Sequence, residues 1–342
     1  MSRAIQGAKN GLKSHYPNPM VGCVIVYDDQ IIAQGITSPY TGPHAEVNAI
    51  NQVQDKTVLT KATLYVTLEP CAHYGNTPPC ADLINSYKIP EVVIGILDPN
   101  PKVSGKGIDL LQKAGVKVIT GVLEEQCSAL HKRFLTNQIH KRPYIILKWA
   151  QTTKGFIAPP IHNRTPYWIS SPLAKQRSHQ WRSEEHAILV GANTVLHDNP
   201  KLDTRLWKGS PPIPIYLDRD LSIPTDKNLF KIHDKIICIT DLKFVPEKNN
   251  QNNIMYCGIN FSSDRASQIA NLLFDCKISS VIVEGGTRTL NYFLSAQLWD
   301  EVRVFESESP ISKGIKAPLL SQKPDHEETL EQSVLKTYTN KQ

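Results

Sequence analysis

The sequence lacks the features that mark membrane, disulfide-rich and nucleic-acid-binding proteins. Its 342 residues contain no apolar run close to the roughly 20 residues that span a bilayer. The cysteines number only seven, an odd count without tight spacing, which argues against a disulfide framework. The net charge of +6 is mild and the Lys and Arg residues are scattered, whereas nucleic-acid binding usually needs a localised basic patch. We therefore expect no membrane or nucleic-acid partner. Because the polar N-terminal stretch lacks the apolar core of a signal peptide, we also expect a cytoplasmic location.

The composition and length are those of a globular protein with two domains. Hydrophobic residues make up 40% and charged residues 20% of the chain, and its length suffices for two separate cores. In both halves, apolar runs typical of buried strands alternate with segments typical of helices, which predicts α/β domains. The stretch Lys141-Arg142-Pro143 marks the predicted boundary. One domain would comprise residues 1–142 and the other residues 143–342.

The apolar pattern also places individual elements. In the first half it predicts helices over residues 1–13, from His44, from Thr77 through Cys80, over 107–114 and over 124–138, with strands over 21–26, 62–67, 91–97 and 116–119. In the second half it predicts strands over residues 144–150, 187–190, 213–217, 235–240 and 280–283, with helices over 171–182 and from 287 through 294. Residues 246–253, rich in Asn and Lys, are predicted to form a solvated loop.

One His and two Cys occur at the spacing of a catalytic metal site. His44 is followed by Glu46 two residues later, then by Pro70-Cys71 and by Cys80. One imidazole and two thiolates leave the fourth position of a tetrahedral Zn²⁺ open for water, which Glu46 can serve without binding the metal. This order is typical of the zinc deaminases, although eight residues separate the two Cys here instead of two. The pattern predicts Zn²⁺ held by His44, Cys71 and Cys80, with Glu46 as the catalytic proton carrier.

The same residue types also occur without catalytic zinc. Taken singly, His44 is an ordinary helix-start residue, and Cys71 and Cys80 are small residues of the kind found in cores. His73 could complete a four-ligand structural site, which would make the chain a zinc-stabilised scaffold that binds a partner. A zinc deaminase acting on nucleosides or tRNA is a further alternative, since such enzymes share the His-Ala-Glu and Pro-Cys elements.

Four segments of the first half carry a closer resemblance. Residues 17–23, 43–47, 67–80 and 98–101 resemble the deaminase domain of the bifunctional riboflavin-biosynthesis deaminase/reductase family. The resemblance implies a cytidine-deaminase-like three-layer domain that hydrolytically deaminates 2,5-diamino-6-ribosylamino-4(3H)-pyrimidinone 5′-phosphate. It also implies substrate contacts at Asn18, His73, Asn76, Asp98 and Asn100. Asn76 stands where the family usually has Lys or Arg, so it can hydrogen-bond a phosphate without supplying charge.

Two junctions between a strand and glycine stand out in the second half. Val190-Gly191-Ala192-Asn193-Thr194 and Glu284-Gly285-Gly286-Thr287 each place backbone N–H groups at a predicted helix start, which suits a phosphate or pyrophosphate. Neither is a Gly-x-Gly-x-x-Gly fingerprint, and a glycine that ends a strand is often only a turn. Together the two junctions suggest a dinucleotide.

The second half resembles the reductase domain of the same family. The resembling segments are residues 148–152, 168–171, 187–205 and 283–287. The resemblance implies a dihydrofolate-reductase-like α/β domain in which NADPH reduces the ribosyl group of the deaminated product to ribityl. The implied NADPH-binding residues are Ala150, Trp168, Thr194, Asp198, Gly286, Thr287, Arg288 and Thr289. The implied substrate-binding residues are Arg182, Leu202, Arg205 and Glu284.

The second half also departs from the family pattern. Lys154 replaces an Asp, Pro166 replaces a Ser, and Asn199 replaces the second Asp of an Asp-Asp-Pro stretch. Proline lacks both the hydroxyl and the backbone N–H, so the Ser contact cannot be carried over. A deaminase with an impaired reductase domain is therefore an alternative. We also expect a homo-oligomer, either a dimer or a tetramer.

Overall fold

A computed structural model describes most of the chain. The described residues are 1–10, 18–74, 78–100, 104–160, 169–247, 250–251, 253–309, 311 and 313–341. They fold into two compact units, Met1–Lys141 and Arg142–Gln342. No helix in these ranges is long and apolar enough to cross a membrane.

The first unit is built on a five-stranded sheet with the order β2-β1-β3-β4-β5. Its strands are β1 Gly22–Tyr27, β2 Gln30–Ile36, β3 Thr63–Leu68, β4 Glu91–Ile96 and β5 Lys117–Ile119. Strand β1 pairs antiparallel with β2 and β3, while β3, β4 and β5 run parallel. Asp28 and Asp29 make the turn between β1 and β2, both with positive φ (51° and 55°). Each predicted strand of this half is present, with ends that differ from the prediction by at most one residue.

In the part of the first unit that the structure describes, α-helices pack on this sheet in two groups. They are α1 Ser2–Asn10, α2 Ala45–Gln52, α3 Cys80–Ser86, α4 Lys106–Lys113 and α5 Glu124–His140. Helices α1 and α5 contact each other, and α2, α3 and α4 form the second group. The helix expected from Thr77 begins at Cys80 as α3, directly after Pro79, and Thr77 lies outside the described residues. The parallel strands β3 and β4 are buried on both faces, which explains their nearly continuous apolar sequences.

The second unit is built on a ten-stranded sheet with the order β11-β12-β10-β9-β8-β13-β6-β14-β17-β16. Its strands are β6 Tyr144–Thr152, β8 Ala187–Val190, β9 Ile213–Leu217, β10 Ile236–Asp241, β11 Asn250–Gln251, β12 Ile254–Ile259, β13 Ser280–Val283, β14 Glu301–Ser307, β16 His326–Leu330 and β17 Ser333–Thr339. Within this sheet order, the seven neighbouring strands that begin with β12 and end with β14 run parallel to one another. Strand β11 pairs antiparallel with β12, β17 with β14, and β16 with β17. A separate pair joins β7 Phe156–Ala158 to β15 Ile315–Lys316. The helices are α6 Pro172–Glu184, α7 Asn228–Ile232, α8 Arg265–Asp275 and α9 Thr287–Ser295.

Several elements of the second unit are absent from the sequence-based prediction. Strands β12, β14, β16 and β17 and helix α8 were not predicted, and β11 forms inside the segment predicted to be only a solvated loop. Strand β14 carries Glu301 and Glu306, and carboxylates are unusual in a buried strand. In the structure, Arg303 Nε and Tyr144 Oη donate to Glu301 at 2.6 and 3.1 Å, and Lys336 Nζ donates to Glu306 at 2.6 Å. Tyr144 and Lys336 belong to neighbouring strands, so sequence-local reasoning could not anticipate these pairings.

Candidate active sites

His44, Cys71 and Cys80 come together in the first unit. The Sγ atoms of Cys71 and Cys80 lie 3.5 and 3.3 Å from His44 Nδ1, and the three potential ligand atoms all lie within 4.8 Å of one another. His44 occupies the N-cap position of α2 but makes no capping hydrogen bond with its side chain, which is directed to the sulfurs instead. Among the described residues, this is the group of His, Cys, Asp and Glu side chains whose geometry could hold a metal ion.

Local structure fixes the two sulfurs. Cys71 follows β3, and Cys80 is the first residue of α3. The backbone N–H of Cys80 donates to Cys71 Sγ at 3.3 Å, and Ala81 N–H donates to the Cys71 carbonyl at 3.2 Å. The N-terminus of α3 therefore faces Cys71, where its N–H groups favour a thiolate.

The charges of this group suit a cation. A hydrogen bond from the Cys80 thiol lowers the pKa of Cys71, with His44 acting in the same direction against burial. Burial raises the pKa of Glu46 to about 7, and the negative charge on Cys71 adds to the effect. A thiolate, a second thiol and a buried carboxyl group around one imidazole are the donor set and the neighbouring acid that a zinc site with an open position requires. The residues present therefore fit Zn²⁺.

The remaining predicted substrate residues of this unit differ in burial, and one of them lies outside the described residues. Asp98 is buried beyond β4, and burial raises its pKa to about 6. The negative charge of Cys71 adds to this rise, whereas the charge of His73 opposes it. Its Oδ1 accepts a hydrogen bond from Asn100 N–H at 2.8 Å. His73 is exposed and Asn18 is half-buried just before β1. Asn76 lies outside the described residues.

The two glycine junctions of the second unit lie side by side. Strands β8 and β13 are parallel neighbours, and Glu284 N–H, directly after β13, donates to the Leu189 carbonyl at 2.9 Å. A Cβ added to Gly191 or Gly285 would lie 2.6 Å from Thr289, so close packing on that side chain explains both glycines. A Cβ on Gly286 would meet nothing within 4 Å. Gly286 therefore leaves open space at the start of α9, where backbone N–H groups suit a phosphate.

The predicted cofactor residues are distributed around these junctions. Ala150 is half-buried on β6, Thr194 begins a π-helix over Thr194–Asp198, and Thr287 Oγ1 donates to the Lys316 carbonyl at 2.5 Å. Thr289 is buried, whereas Asp198 and Arg288 are exposed. Trp168 and Pro166 lie outside the described residues. Lys154 is exposed on the turn between β6 and β7.

Glu284 is the centre of a buried charge cluster. Arg182 Nε and Nη2 donate to its two oxygens at 3.0 and 2.7 Å, and Lys148 Nζ lies 3.7 Å away. Burial would raise the pKa of Glu284, but Arg182 and Lys148 outweigh it and lower the pKa to about 2. The Arg182 guanidinium, which the family resemblance implies for substrate binding, is thus engaged by a carboxylate. Sequence reasoning did not single out Lys148, because its partner lies on a strand end far along the chain.

A second group surrounds the loop after the π-helix. Arg182 Nη1 donates to the Asp203 carbonyl at 3.3 Å, and Arg205 pairs with the Asp203 carboxylate. The Arg205 side chain is 45% exposed, compared with 14% for Arg182, so it is the more accessible cation. The Leu202 side chain is buried in the core, which leaves only its backbone to meet a ligand.

Comparisons with known proteins agree with this picture in both units. Residues 143–340 match the family model of the RibD C-terminal domain. The chain belongs to the RibD family. Residues 1–96 match the cytidine and deoxycytidylate deaminase zinc-binding region, so a deaminase domain and a RibD reductase domain are both present. These two domains confirm the predicted fold class and imply zinc and a nicotinamide cofactor.

Individual members of the RibD family resemble the chain over most of its length. The riboflavin biosynthesis protein RibD of Aquifex aeolicus is 37% identical over 319 residues, which cover 92% of this chain and 88% of that protein. RibD of Actinobacillus pleuropneumoniae is 39% identical over 298 residues, covering 85% and 78%. A crystal structure of a diaminohydroxyphosphoribosylaminopyrimidine deaminase/5-amino-6-(5-phosphoribosylamino)uracil reductase from Thermotoga maritima matches with a TM-score of 0.89 at 36% identity, covering 99% and 97% of the two chains. The chain is accordingly a bifunctional deaminase and reductase of riboflavin biosynthesis.

Proposed function

We propose that the first unit deaminates 2,5-diamino-6-ribosylamino-4(3H)-pyrimidinone 5′-phosphate and that the second unit reduces the product with NADPH. The observation that carries the deaminase half is the convergence of His44, Cys71 and Cys80 beside the buried carboxyl group of Glu46. The relative from Thermotoga maritima is named for the corresponding pair of reactions, which supports the choice of substrate.

In the deaminase site, His44 Nδ1 and the sulfurs of Cys71 and Cys80 would hold the zinc. Zinc, when bound, supplies an activated water nucleophile at neutral pH. Glu46 removes a proton from the water and delivers it to the departing amine, which leaves as ammonia as the ring carbon gains oxygen. Asp98 and Asn100 bind the polar edge of the substrate together with Asn18 and His73. Asn76 is assigned to the phosphate, which it can hydrogen-bond without a charge.

In the reductase site, the open N-terminus of α9 would receive a phosphate of NADPH. Gly286 provides the space, and the family resemblance adds Ala150, Trp168, Thr194, Asp198, Thr287, Arg288 and Thr289. The nicotinamide supplies the hydride, and the protein positions it. Arg205 is assigned to the substrate phosphate, because its guanidinium is exposed and suited to two parallel bonds. Glu284, held by Arg182, contacts the pyrimidine, and Leu202 contributes its backbone.

The proposal extends to the molecule as a whole. Residues 1–142 would form the deaminase domain and residues 143–342 the reductase domain, in a cytoplasmic homo-oligomer that is a dimer or tetramer. The phosphorylated pyrimidine would be its partner, without nucleic acid or membrane.

The test supplies the purified full-length protein with the diaminopyrimidinone ribotide, with and without NADPH. We expect ammonia release in both cases and NADPH oxidation only after ammonia has been released. Ammonia release without NADPH oxidation would refute the reductase half of the proposal and favour the alternative of a deaminase with an impaired reductase domain. Absence of both signals would refute the proposal.

A further inference from the structure

Glu69 is a buried carboxylate whose partners are backbone N–H groups. It follows β3, two residues before Cys71, and is only 4% exposed. Its Oε2 accepts from Asp98 N–H at 3.2 Å and Gly105 N–H at 3.1 Å, and its Oε1 accepts from Gly107 N–H at 3.0 Å. Among the described residues, no Lys, Arg or His forms an ion pair with it. A buried carboxylate held in this way serves to order the backbone that surrounds it.

The three donors lie at both ends of the connection between β4 and α4. Asp98 comes shortly after β4, whereas Gly105 is the N-cap of α4 and Gly107 lies in its first turn. Gly105 has a φ of +76°, which favours glycine. A Cβ on Gly107 would lie 2.1 Å from the Pro70 carbonyl oxygen, so the start of α4 is in direct contact with the segment that leads to Cys71.

Glu69 thus ties the segment that carries Cys71 to the backbone of Asp98. Glu69 N–H also donates to the Ile96 carbonyl at 3.0 Å, which extends the pairing of β3 and β4 up to this point. Asp98 in turn fixes Asn100 through its Oδ1. A change in the position of Asp98 by even about 1 Å would be felt by a substrate that it binds.

We infer that Glu69 is a positioning residue of the deaminase site, which holds Asp98 and Asn100 at the correct distance from the Cys71 segment for the substrate to bind. The inference rests on the proposed deaminase function. Glu69 makes no contact with the reacting atoms in this scheme, so it sets substrate affinity and leaves the chemical step to Glu46.

The decisive variant is Glu69→Gln, because glutamine has almost the same shape but only one accepting oxygen. Its Nε2 would face at least one of the three backbone N–H groups, donor against donor. In the full-length protein we expect the KM for deamination to rise about tenfold or more, with kcat within about threefold of the wild-type value and zinc content unchanged. Reduction of the deaminated intermediate by NADPH should not change.

Glu91→Gln is the matched control, because Glu91 begins β4 but pairs with the exposed Lys117 at 3.1 Å. It should behave as the wild type. A wild-type KM in Glu69→Gln would overturn the inference, as would a loss of zinc together with kcat, which would show that Glu69 holds the Cys71 segment for the metal and not Asp98 for the substrate. If the wild-type protein itself released no ammonia, the proposed deaminase function would be refuted, which is a separate outcome from failure of the role inferred for Glu69.

Gly105→Ala provides a second variant that keeps the carboxylate. Nothing lies within 4 Å of the added Cβ, but alanine is strained at this φ and should displace the Gly105 N–H from Glu69. We expect the same signature in a milder form, a KM raised about threefold with kcat unchanged. If Glu69→Gln does not fold, an unchanged KM in Gly105→Ala overturns the inference.

Discussion

Glu46 is the residue on which the deamination chemistry depends. Replacing it by Gln keeps the size of the side chain and removes its ability to carry a proton. We expect ammonia release to fall by a factor of about 10² or more, because general acid–base groups contribute roughly that much, whereas zinc should stay bound to His44, Cys71 and Cys80. Metal analysis and an ammonia assay on the same preparation measure both. A Gln variant that deaminates at the normal rate would exclude this role.

His179, on α6, gives the second unit a dependence on pH. Burial, followed by the positive charges of Arg182 and Arg205, lowers its pKa to about 4, although Asp203 opposes them. Between pH 6.5 and 4 the unfolded chain therefore binds a proton that the folded chain does not, so the free energy of unfolding decreases as the pH falls through this range. From about pH 6.5 to about pH 5 the loss should be about 1.5 kcal/mol, because the slope approaches roughly 1.4 kcal/mol per pH unit only below the pKa of the unfolded imidazole.

Replacement of His179 by Gln tests this prediction. Gln does not titrate, so the loss of stability between about pH 6.5 and 5 should become about 1.5 kcal/mol smaller. Urea unfolding followed by tryptophan fluorescence is suited to the measurement, because all five tryptophans lie in residues 149–299 of the second unit. His326→Gln, at an exposed position on β16, should retain the wild-type pH dependence. An equal acid-induced loss in wild type and His179→Gln would contradict the assignment.

Individual residues differ in how far the sequence revealed them. The spacing of His44, Cys71 and Cys80 predicts that these side chains come together, as they do in the structure, because the motifs of zinc deaminases are short and local. The engagement of Arg182 by Glu284 was not predictable, since 102 residues separate the two and only the sheet brings them together. Glu69 was passed over for a similar reason, because its partners are backbone groups that carry no signature in the sequence.

At the scale of elements, the two glycines between β13 and α9 differ in the space available to an added side chain. Gly286→Ala places its methyl group in open space at the helix start, so we expect stability to be retained and the Kd for NADPH to rise about tenfold. Gly285→Ala is the matched control, because its Cβ would lie 2.6 Å from Thr289. We expect that variant to lose roughly 1–3 kcal/mol of stability through overpacking. Calorimetric NADPH titration and urea unfolding separate the two effects, and equal NADPH affinity in wild type and Gly286→Ala would exclude a cofactor at this site.

The parallel strands at the centre of each sheet were the most predictable elements. Strands such as β8 and β13 are short apolar runs buried on both faces, and their sequences indicate this directly. Strand β14 was missed because it carries Glu301 and Glu306, and the contacts of these carboxylates with Tyr144 and Lys336 become visible only when the strands are paired. The antiparallel edge formed by β16 and β17 is only partly buried, which leaves a weaker pattern in a charged stretch.

At the scale of the whole molecule, the predicted metal ligands and the tryptophans belong to different units. His44, Cys71 and Cys80 lie within Met1–Lys141, whereas the glycine junctions and every tryptophan lie within Arg142–Gln342. Removal of zinc by a chelator should therefore abolish ammonia release. Oxidation of NADPH should continue when the deaminated intermediate is supplied directly, and the urea transition seen by tryptophan fluorescence should stay where it was.

Restoration of zinc distinguishes loss of the metal from irreversible damage. Ammonia release should return when Zn²⁺ is added back, because His44 and the two sulfurs sit on regular elements, at the start of α2, after β3 and at the start of α3. Cys71→Ala should not recover, since two of the three ligands cannot hold the ion in the same geometry. If NADPH oxidation were also lost on chelation, the reductase would need the metal too. The assignment of zinc to the deaminase unit alone would then be wrong.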